Sequence, residues 1–274
     1  MERVGEHPVP VGPLAVRWLA YELEEQRAGV ATRARVRLEN AGTAPWRSRG
    51  REGVQLAHHW LDALGNPIVW DGDRASLPDV VRPGETVELE SAVIAPRPPG
   101  SYRLAFDLVE EFRFWFAEVG STPLDLSVEV KPRIEERRLA VRVHGPSDPE
   151  LDAALAAQEE PLVADGAVAV AHLVADAIPA SDWSRLMLDA HAEGYVAVGP
   201  SIEGESRAER RRLTTWAPGG GRNPRFYEPL LLPSLLEGLG TETVEDLPAY
   251  TGRDGLFEGR AVVRLRSRSG RRSG

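Results

Sequence analysis

The chain has 274 residues, a formal net charge of -9 and a pI near 5.3. That length allows two domains, each able to bury a core, and the acidic balance argues against general nucleic-acid binding. The sequence holds no cysteine, which excludes disulfides, thiolate metal sites and cysteine nucleophiles.

Residues 1–13 carry three prolines and no periodicity, so an extended leader is expected there. The stretch lacks the basic start and apolar core of a secretory signal. No run approaches the roughly 18 apolar residues that cross a bilayer. The expected compartment is the cytoplasm. Strands are predicted over Leu14–Leu23 and Val30–Glu39, the latter alternating Ala34, Val36 and Leu38 with arginines at 33, 35 and 37. Asn40-Ala41-Gly42-Thr43 reads as a turn. The stretch Gly53–Arg74 reads as a hairpin turning at Leu64-Gly65-Asn66-Pro67, with large aromatics on one face. If its first strand is regular, Leu56, His58 and Trp60 share one face, and His59 and Leu61 the other. Trp60 is then the buried ring, and Trp70, beside the polar Asp71-Gly72-Asp73, the exposed one. Thr86–Ile94 is a further strand. Tyr102–Val109 and Phe112–Val119 form another hairpin, and Leu124–Val130 a last strand. Many short strands between turn signals predict a sandwich or barrel.

The run Asn40-x-Gly42, Trp46, His59-Trp60-Leu61-Asp62, Gly65, Asp71-Gly72-x-Arg74, Leu77-Pro78, Pro83-Gly84-Glu85, Ala95-Pro96, Gly100-x-Tyr102-x-Leu104, Asp107-Leu108-Val109 and Trp115-Phe116 resembles an Ig-like domain. Such domains accompany bacterial polysaccharide-biosynthesis proteins. The resemblance covers about residues 14–130 and extends to the glycan-binding domain of some polysaccharide ABC exporters. It implies glycans or polysaccharide-biosynthesis proteins as partners.

Lys131–Arg138 is a charged linker, after which the rhythm changes. Leu139–His144 is a short strand. Ser147-x-x-Glu150 has the form of a capping box opening a helix over Asp148–Gln158. Ala167–Val174 is a continuous apolar strand of the buried parallel kind. Ser181 is placed to cap a helix carrying Trp183, Leu186, Met187 and Ala190, which Gly194 ends. Tyr195–Val198 is a third strand. This order predicts parallel strands with right-handed crossovers. Gly204–Arg212 and Ala217–Pro224 read as loops, Leu230–Leu239 as a helix, Leu256–Leu265 as a hairpin turning at Glu258-Gly259. The tail after Leu265 is basic and expected to be disordered. The predicted organisation is a leader (1–13), an Ig-like β-sandwich (14–131), a small α/β domain with a parallel sheet (132–266) and a basic tail (267–274).

In an open α/β sheet ligands bind beyond the carboxyl ends of the strands, which selects His144 with Ser147, Asp176, and Ser201. The bland alternative makes Ser147 an N-cap and His144 a strand end. Gly219-Gly220-Gly221-Arg222-Asn223 has the flexibility to wrap an anion, with Arg222 and Asn223 as contacts, or is a plain connector. His58 and His59, as neighbours on a strand, cannot both face one metal. The aromatics Trp60, Trp70, Trp115 and Phe116 are candidates for a sugar-stacking platform, with most expected in the core.

The segment Ala175-Asp176-Ala177-Ile178-Pro179-Ala180-Ser181-Asp182-Trp183 resembles a family 2 glycosyltransferase over about residues 168–202. That family ends a strand in an Asp-x-Asp motif whose carboxylates hold a divalent metal on a nucleotide-sugar. Asp176 matches the second aspartate, while Val174 stands at the first. The leading functional expectation is a non-catalytic binding or accessory module in cell-surface polysaccharide or glycoconjugate metabolism, without a cofactor. The alternatives are a divergent transferase using Asp176, a divalent metal and a nucleotide-sugar, and a purely structural interaction module.

Overall fold

A computed structural model describes residues 1–5, 9, 11–49, 52–144, 146–174, 177–195, 197–203, 230–233 and 256–265. The chain divides into two compact units, Met1–Lys131 and Pro132–Gly274.

In the first unit the strands are β1 (Glu2–Arg3), β2 (Val16–Leu23), β3 (Ala31–Asn40), β4 (Trp46–Arg49), β5 (Glu52–Leu61), β6 (Pro67–Val69), β7 (Ala75–Ser76), β8 (Val80–Val81), β9 (Thr86–Ile94), β10 (Gly100–Glu110), β11 (Phe114–Trp115) and β12 (Leu124–Val130). One sheet runs β1-β2-β3-β9. The other runs β11-β10-β5-β4-β8, with β12 on β10, and β6 and β7 on β5. Period-two alternation drives the pairing. On β3, Ala34, Val36 and Leu38 are buried while Arg33, Arg35 and Arg37 face out. On β9 the outward positions opposite Arg35 and Arg37 are Glu90 and Glu88. The inward residues Trp18, Val36 and Leu38 meet Trp46, Leu56, Trp60 and Phe106 of the second sheet in one core. Such a face-to-face packing of two antiparallel sheets is a β-sandwich. Glu2 and Arg3 are part of the first sheet, opposite Tyr21 and Ala20 of β2.

Local chemistry sets the turns. Asn40 is fully buried. Its side chain donates to the carbonyls of Ala44 and Val81 and accepts from Gly42 N–H. A Cβ on Gly42 would lie 2.2 Å from the Pro13 carbonyl oxygen, so only glycine fits. In the hairpin from β5 to β6, Asp62 Oδ1 accepts the N–H groups of Leu64 and Asn66 at 2.9 and 2.8 Å, an Asx turn completed by Gly65 at φ +89°. The expected strand over Phe112–Val119 stops at Trp115. Residues Phe116–Val119 form a 3₁₀ turn instead, because Glu118 Oε2 takes the Trp115 N–H and Asp107 Oδ2 takes that of Ala117.

In the second unit the elements are β13 (Leu139–His144), α1 (Pro149–Ala156), β14 (Ala169–Val174), β15 (Ala177–Pro179), α2 (Trp183–Ala192), β16 (Ala197–Glu203), β17 (Leu230–Pro233) and β18 (Leu256–Leu265). The sheet order is β13-β14-β17-β16-β18-β15. β13 and β14 are parallel across α1, and β16 and β18 are parallel. β17 runs antiparallel to both β14 and β16, and β15 antiparallel to β18. The sheet is therefore mixed, not the parallel one expected. The difference lies in Leu230–Pro233, read as helical. A short leucine run fits a buried strand as well as a helix, and pairing on both edges decides for the strand. Leu256–Leu265 is likewise one strand and not a hairpin. Its register with β16 jumps from Gly199 opposite Glu258 to Ser201 opposite Val262, so the residues after Glu258 are absorbed as an irregularity.

The helix caps also differ from expectation. Asp148, not Ser147, caps α1, accepting from the N–H groups of Glu150 and Leu151. The Asp182 position opens α2 without any side-chain cap, and Ser181 uses its carbonyl to accept Glu159 N–H. Gly194, at φ +113°, closes α2 as expected. Leu139, Leu151, Leu173, Trp183 and Met187 form this unit's core. Arg137 anchors the start of the unit, pairing with Glu160 and with Asp189 at 2.8 Å and donating to the Arg185 carbonyl.

Two outcomes follow from this layout. Residues 1–132 expressed alone should melt cooperatively as a β protein by circular dichroism; a non-cooperative fragment would make the second unit essential to the first. Trp60 has no exposed surface. Trp60→Ala should therefore cost about 3–5 kcal/mol in a denaturant titration of the whole chain, as for core aromatics.

Candidate functional site

Strand β5 is buried on both faces. Val54, Leu56 and Trp60 point into the sandwich core. Gln55, Ala57 and His59 alternate to the outer face, where the register sets them opposite Val109, Asp107 and Ala105 of β10. A strand covered on one side only would leave these residues in water. Here Ala57, Val109 and Trp115 form a second, smaller apolar cluster. Trp115 comes from β11. The rest of the cover is the segment between β6 and β7, Trp70–Arg74.

His59 organises this cover. Its ring stacks on Trp70 with centroids 4.1 Å apart and planes 23° apart, and meets Trp115 edge-on at 4.3 Å. Trp70 and Trp115 meet edge to face at 6.0 Å. His59 Nδ1 hydrogen-bonds the Trp70 carbonyl oxygen. A carbonyl only accepts, so Nδ1 carries the proton. Arg74 then clamps the segment. Its guanidinium lies 4.9 Å over the Trp115 ring and donates to Glu111 Oε1 at 2.5 Å, to the Gly72 carbonyl at 2.8 Å and to Asp71 Oδ1 at 2.9 Å. Gly72 N–H donates to the His58 carbonyl at 3.0 Å, and a Cβ on Gly72 would lie 2.4 Å from His58 Nε2, so a side chain there collides with the ring. The result is a fixed indole with one face on His59. Trp70 keeps 49% of its surface exposed, whereas Trp115 keeps 9%. Beside Trp70 stand the exposed carboxylates of Asp71 and Asp73. Next to Asp73 an open depression of about 610 Å³ lies between Asp73–Pro78 and Val87–Ala92.

The titratable groups behind the platform are shifted by burial. His58 is pushed down to about 4 by loss of water around its ring, against the charge of Asp73 and with smaller pushes from His59 and Arg74. Burial also lowers His59, against the hydrogen bond to Trp70 and the charge of Asp71. Asp107 is pushed up to about 7 by burial, despite accepting the N–H groups of Ala117 and Leu108.

The sequence-selected positions divide. Trp70 is the half-exposed ring and Trp60 the core ring. His144 ends β13 opposite Val174. Leu231 is opposite both Ala171 and Val198, so positions 144, 174 and 201 fall at one end of the sheet. Ser147 sits outside α1 and its hydroxyl donates to Asp152. Asp176, Arg222 and Asn223 lie outside the described residues. Among the described residues no group of three or more His, Asp or Glu side chains is arranged to hold a metal. Sequence reasoning missed the clamping pair Arg74–Glu111, and it missed Asp107. The signal for Asp107 was present: one carboxylate inside the apolar run Leu104–Val109.

No protein-family model matches the chain, and no curated protein is similar to it. Among solved structures, the chain is similar to a family 123 glycoside hydrolase from Clostridium perfringens, at 11% identity over 48% of this chain and 26% of that one, TM-score 0.24. The sporulation control protein Spo0M from Bacillus subtilis matches at 12% identity over 52% and 53%, TM-score 0.28. The ASH/PapD-like domain 7 of human CEP192 matches at 14% over 47% and 94%, TM-score 0.23. The chain thus spans about a quarter of the first and half of the second. At these scores the likenesses carry no inference about activity, and nothing in them supports the glycosyltransferase resemblance of residues 168–202. No helix among the described residues is long and apolar enough to cross a membrane.

His58 and Asp107 make opposite pH predictions. His58 titrates at about 4 folded against 6.5 ordinarily. Unfolding takes up its proton between those values, so its contribution is whole above 6.5 and lost as pH falls towards 4. Asp107 titrates at about 7 folded against 3.8 ordinarily. Its contribution is whole below 3.8 and lost as pH rises towards 7. In the shared window the two slopes oppose. Urea midpoints of His58→Gln across that window should fall with rising pH relative to the parent, and those of Asp107→Asn should rise. Parallel slopes in all three proteins would show that neither group is shifted.

Proposed function

We propose that this chain is a non-catalytic glycan-binding or accessory module, and that the outer-face patch centred on Trp70 makes the contact. The supporting observation is the Trp70 ring itself. It is half exposed, yet stacked on His59, edged by Trp115 and tied through its own carbonyl. Sugar rings present flat C–H faces that lie on an indole plane, and hydroxyls that seek acceptors. Asp71 and Asp73 supply acceptors beside the plane. A ring already fixed loses little rotamer entropy on binding, which suits weak, repeated contacts along a polysaccharide.

Trp70→Ala removes a half-exposed ring and no hydrogen-bond donor to the fold, so it should shift the melting temperature much less than Trp60→Ala. Titration of the full chain with soluble neutral glucan and chitin oligosaccharides, followed by tryptophan fluorescence, should show saturable binding that Trp70→Ala weakens about tenfold or more, on the order of one stacking contact. No saturable change with any of these sugars, or binding untouched by the substitution, would remove the glycan reading from this patch.

A further inference from the structure

The glycan-contact reading leaves the class of glycan open, and the charges around Trp70 narrow it. Arg74 is the cation beside the ring, and the structure has already spent it. Each guanidinium nitrogen donates within the fold, to Glu111, the Gly72 carbonyl and Asp71, and the cationic plane covers Trp115. Burial lowers the pKa of His59, and its Nδ1 proton goes to the Trp70 carbonyl oxygen. Two carboxylates beside the ring face solvent. The Asp71 side chain is 70% exposed, and only its Oδ1 is taken by Arg74. Asp73 is exposed next to it. The depression that continues from Asp73 is lined by Arg74, Glu88 and Glu90, of which Glu90 is paired with Arg33 and Arg35.

We propose that the Trp70 patch selects glycans free of acidic groups and favours those bearing free amines. This inference rests on the glycan-contact reading above. A uronate or phosphate group placed over Trp70 would meet Asp71 and Asp73, with Arg74 already bonded within the fold, and like charges at that range repel. An ammonium group there gains an anionic partner in Asp71 Oδ2 and the negative face of the indole.

The test is a titration of the full chain, at low salt and mildly acidic pH, with three oligosaccharides of equal length: β-linked glucosamine, its N-acetylated form, and galacturonate. The expected order is glucosamine tightest, by about 2–5-fold over the N-acetylated form as for an exposed charge pair, with galacturonate weakest. Asp71→Asn keeps the Oδ1 acceptor for Arg74 and removes the charge. It should erase the amine preference and leave N-acetylglucosamine binding in place, while Trp70→Ala should weaken both. Galacturonate binding as tightly as the N-acetylated sugar would overturn the proposal. So would an amine preference that survives Asp71→Asn, or glucosamine binding untouched by Trp70→Ala, which would mark attraction to the acidic chain at large. Absence of binding by all three sugars would instead sink the glycan-contact reading itself.

Discussion

The first unit is organised by the burial of β5 on both faces. A sandwich strand ordinarily has one face in the core and one in water. β5 carries Leu56 and Trp60 on one side and Ala57 and His59 on the other, all buried. Something must cover the second side. The cover is short on chain: two residues of β11 and the five-residue link Trp70–Arg74. Large rings and a clamping arginine do what a third layer would do elsewhere. Trp115 fills the space over Ala57 and Val109. Trp70 lies across His59 at the margin, and its outer half stays in water. The proposed contact surface is thus a consequence of how the fold closes, and the same contacts that close the fold make the surface rigid.

That closure carries a cost in ionisable groups. Asp107 lies on the outer face beneath the 3₁₀ turn, 1% exposed, with no cation bonded to it in the described residues. Two amides, those of Ala117 and Leu108, solvate it. Burial outweighs them, and its carboxyl is held up near neutrality. His58, on the core side of the same strand pair, sits 6.0 Å from the Phe106 ring and is kept neutral. Protonating Asp107 removes a buried charge, whereas protonating His58 creates one. The two groups therefore offset each other over mildly acidic pH, in opposite faces of one sheet.

How much of this was legible in the sequence depends on whether the cause was local. Alternation along Ala31–Asn40 and Thr86–Ile94 announced strands and their inward faces, and the turn residues Leu64-Gly65-Asn66-Pro67 announced the hairpin. The burial of Trp60 and exposure of Trp70 followed from parity and from the polar residues after Trp70. The outer cover did not follow, because it depends on pairing between β5 and β10, which lie far apart in sequence. The 3₁₀ turn at Phe116 was hidden for the same reason: its decisive acceptor, Asp107, is ten residues away and belongs to another strand. In the second unit Leu230–Pro233 fits helix or strand by composition alone. Its two β neighbours decide, and they turn an expected parallel sheet into a mixed one.

Exposure alone does not single out Trp70. Phe112 is 93% exposed at φ +62°, and Leu64 is 88% exposed at the β5–β6 turn. Both are larger apolar exposures, and scattered apolar side chains on a surface require no function. What separates Trp70 is support. Leu64 and Phe112 stand at turn tips, where binding would have to freeze their side chains first. Trp70 has its plane set by His59, its edge by Trp115 and its backbone by the His59 ring and by the Gly72–His58 hydrogen bond next to it. Every one of those contacts is made within one unit. A surface ring gains affinity from such preorganisation and not from its exposed area. By that criterion the proposed contact belongs to the patch at Trp70 and not to the more exposed turn tips.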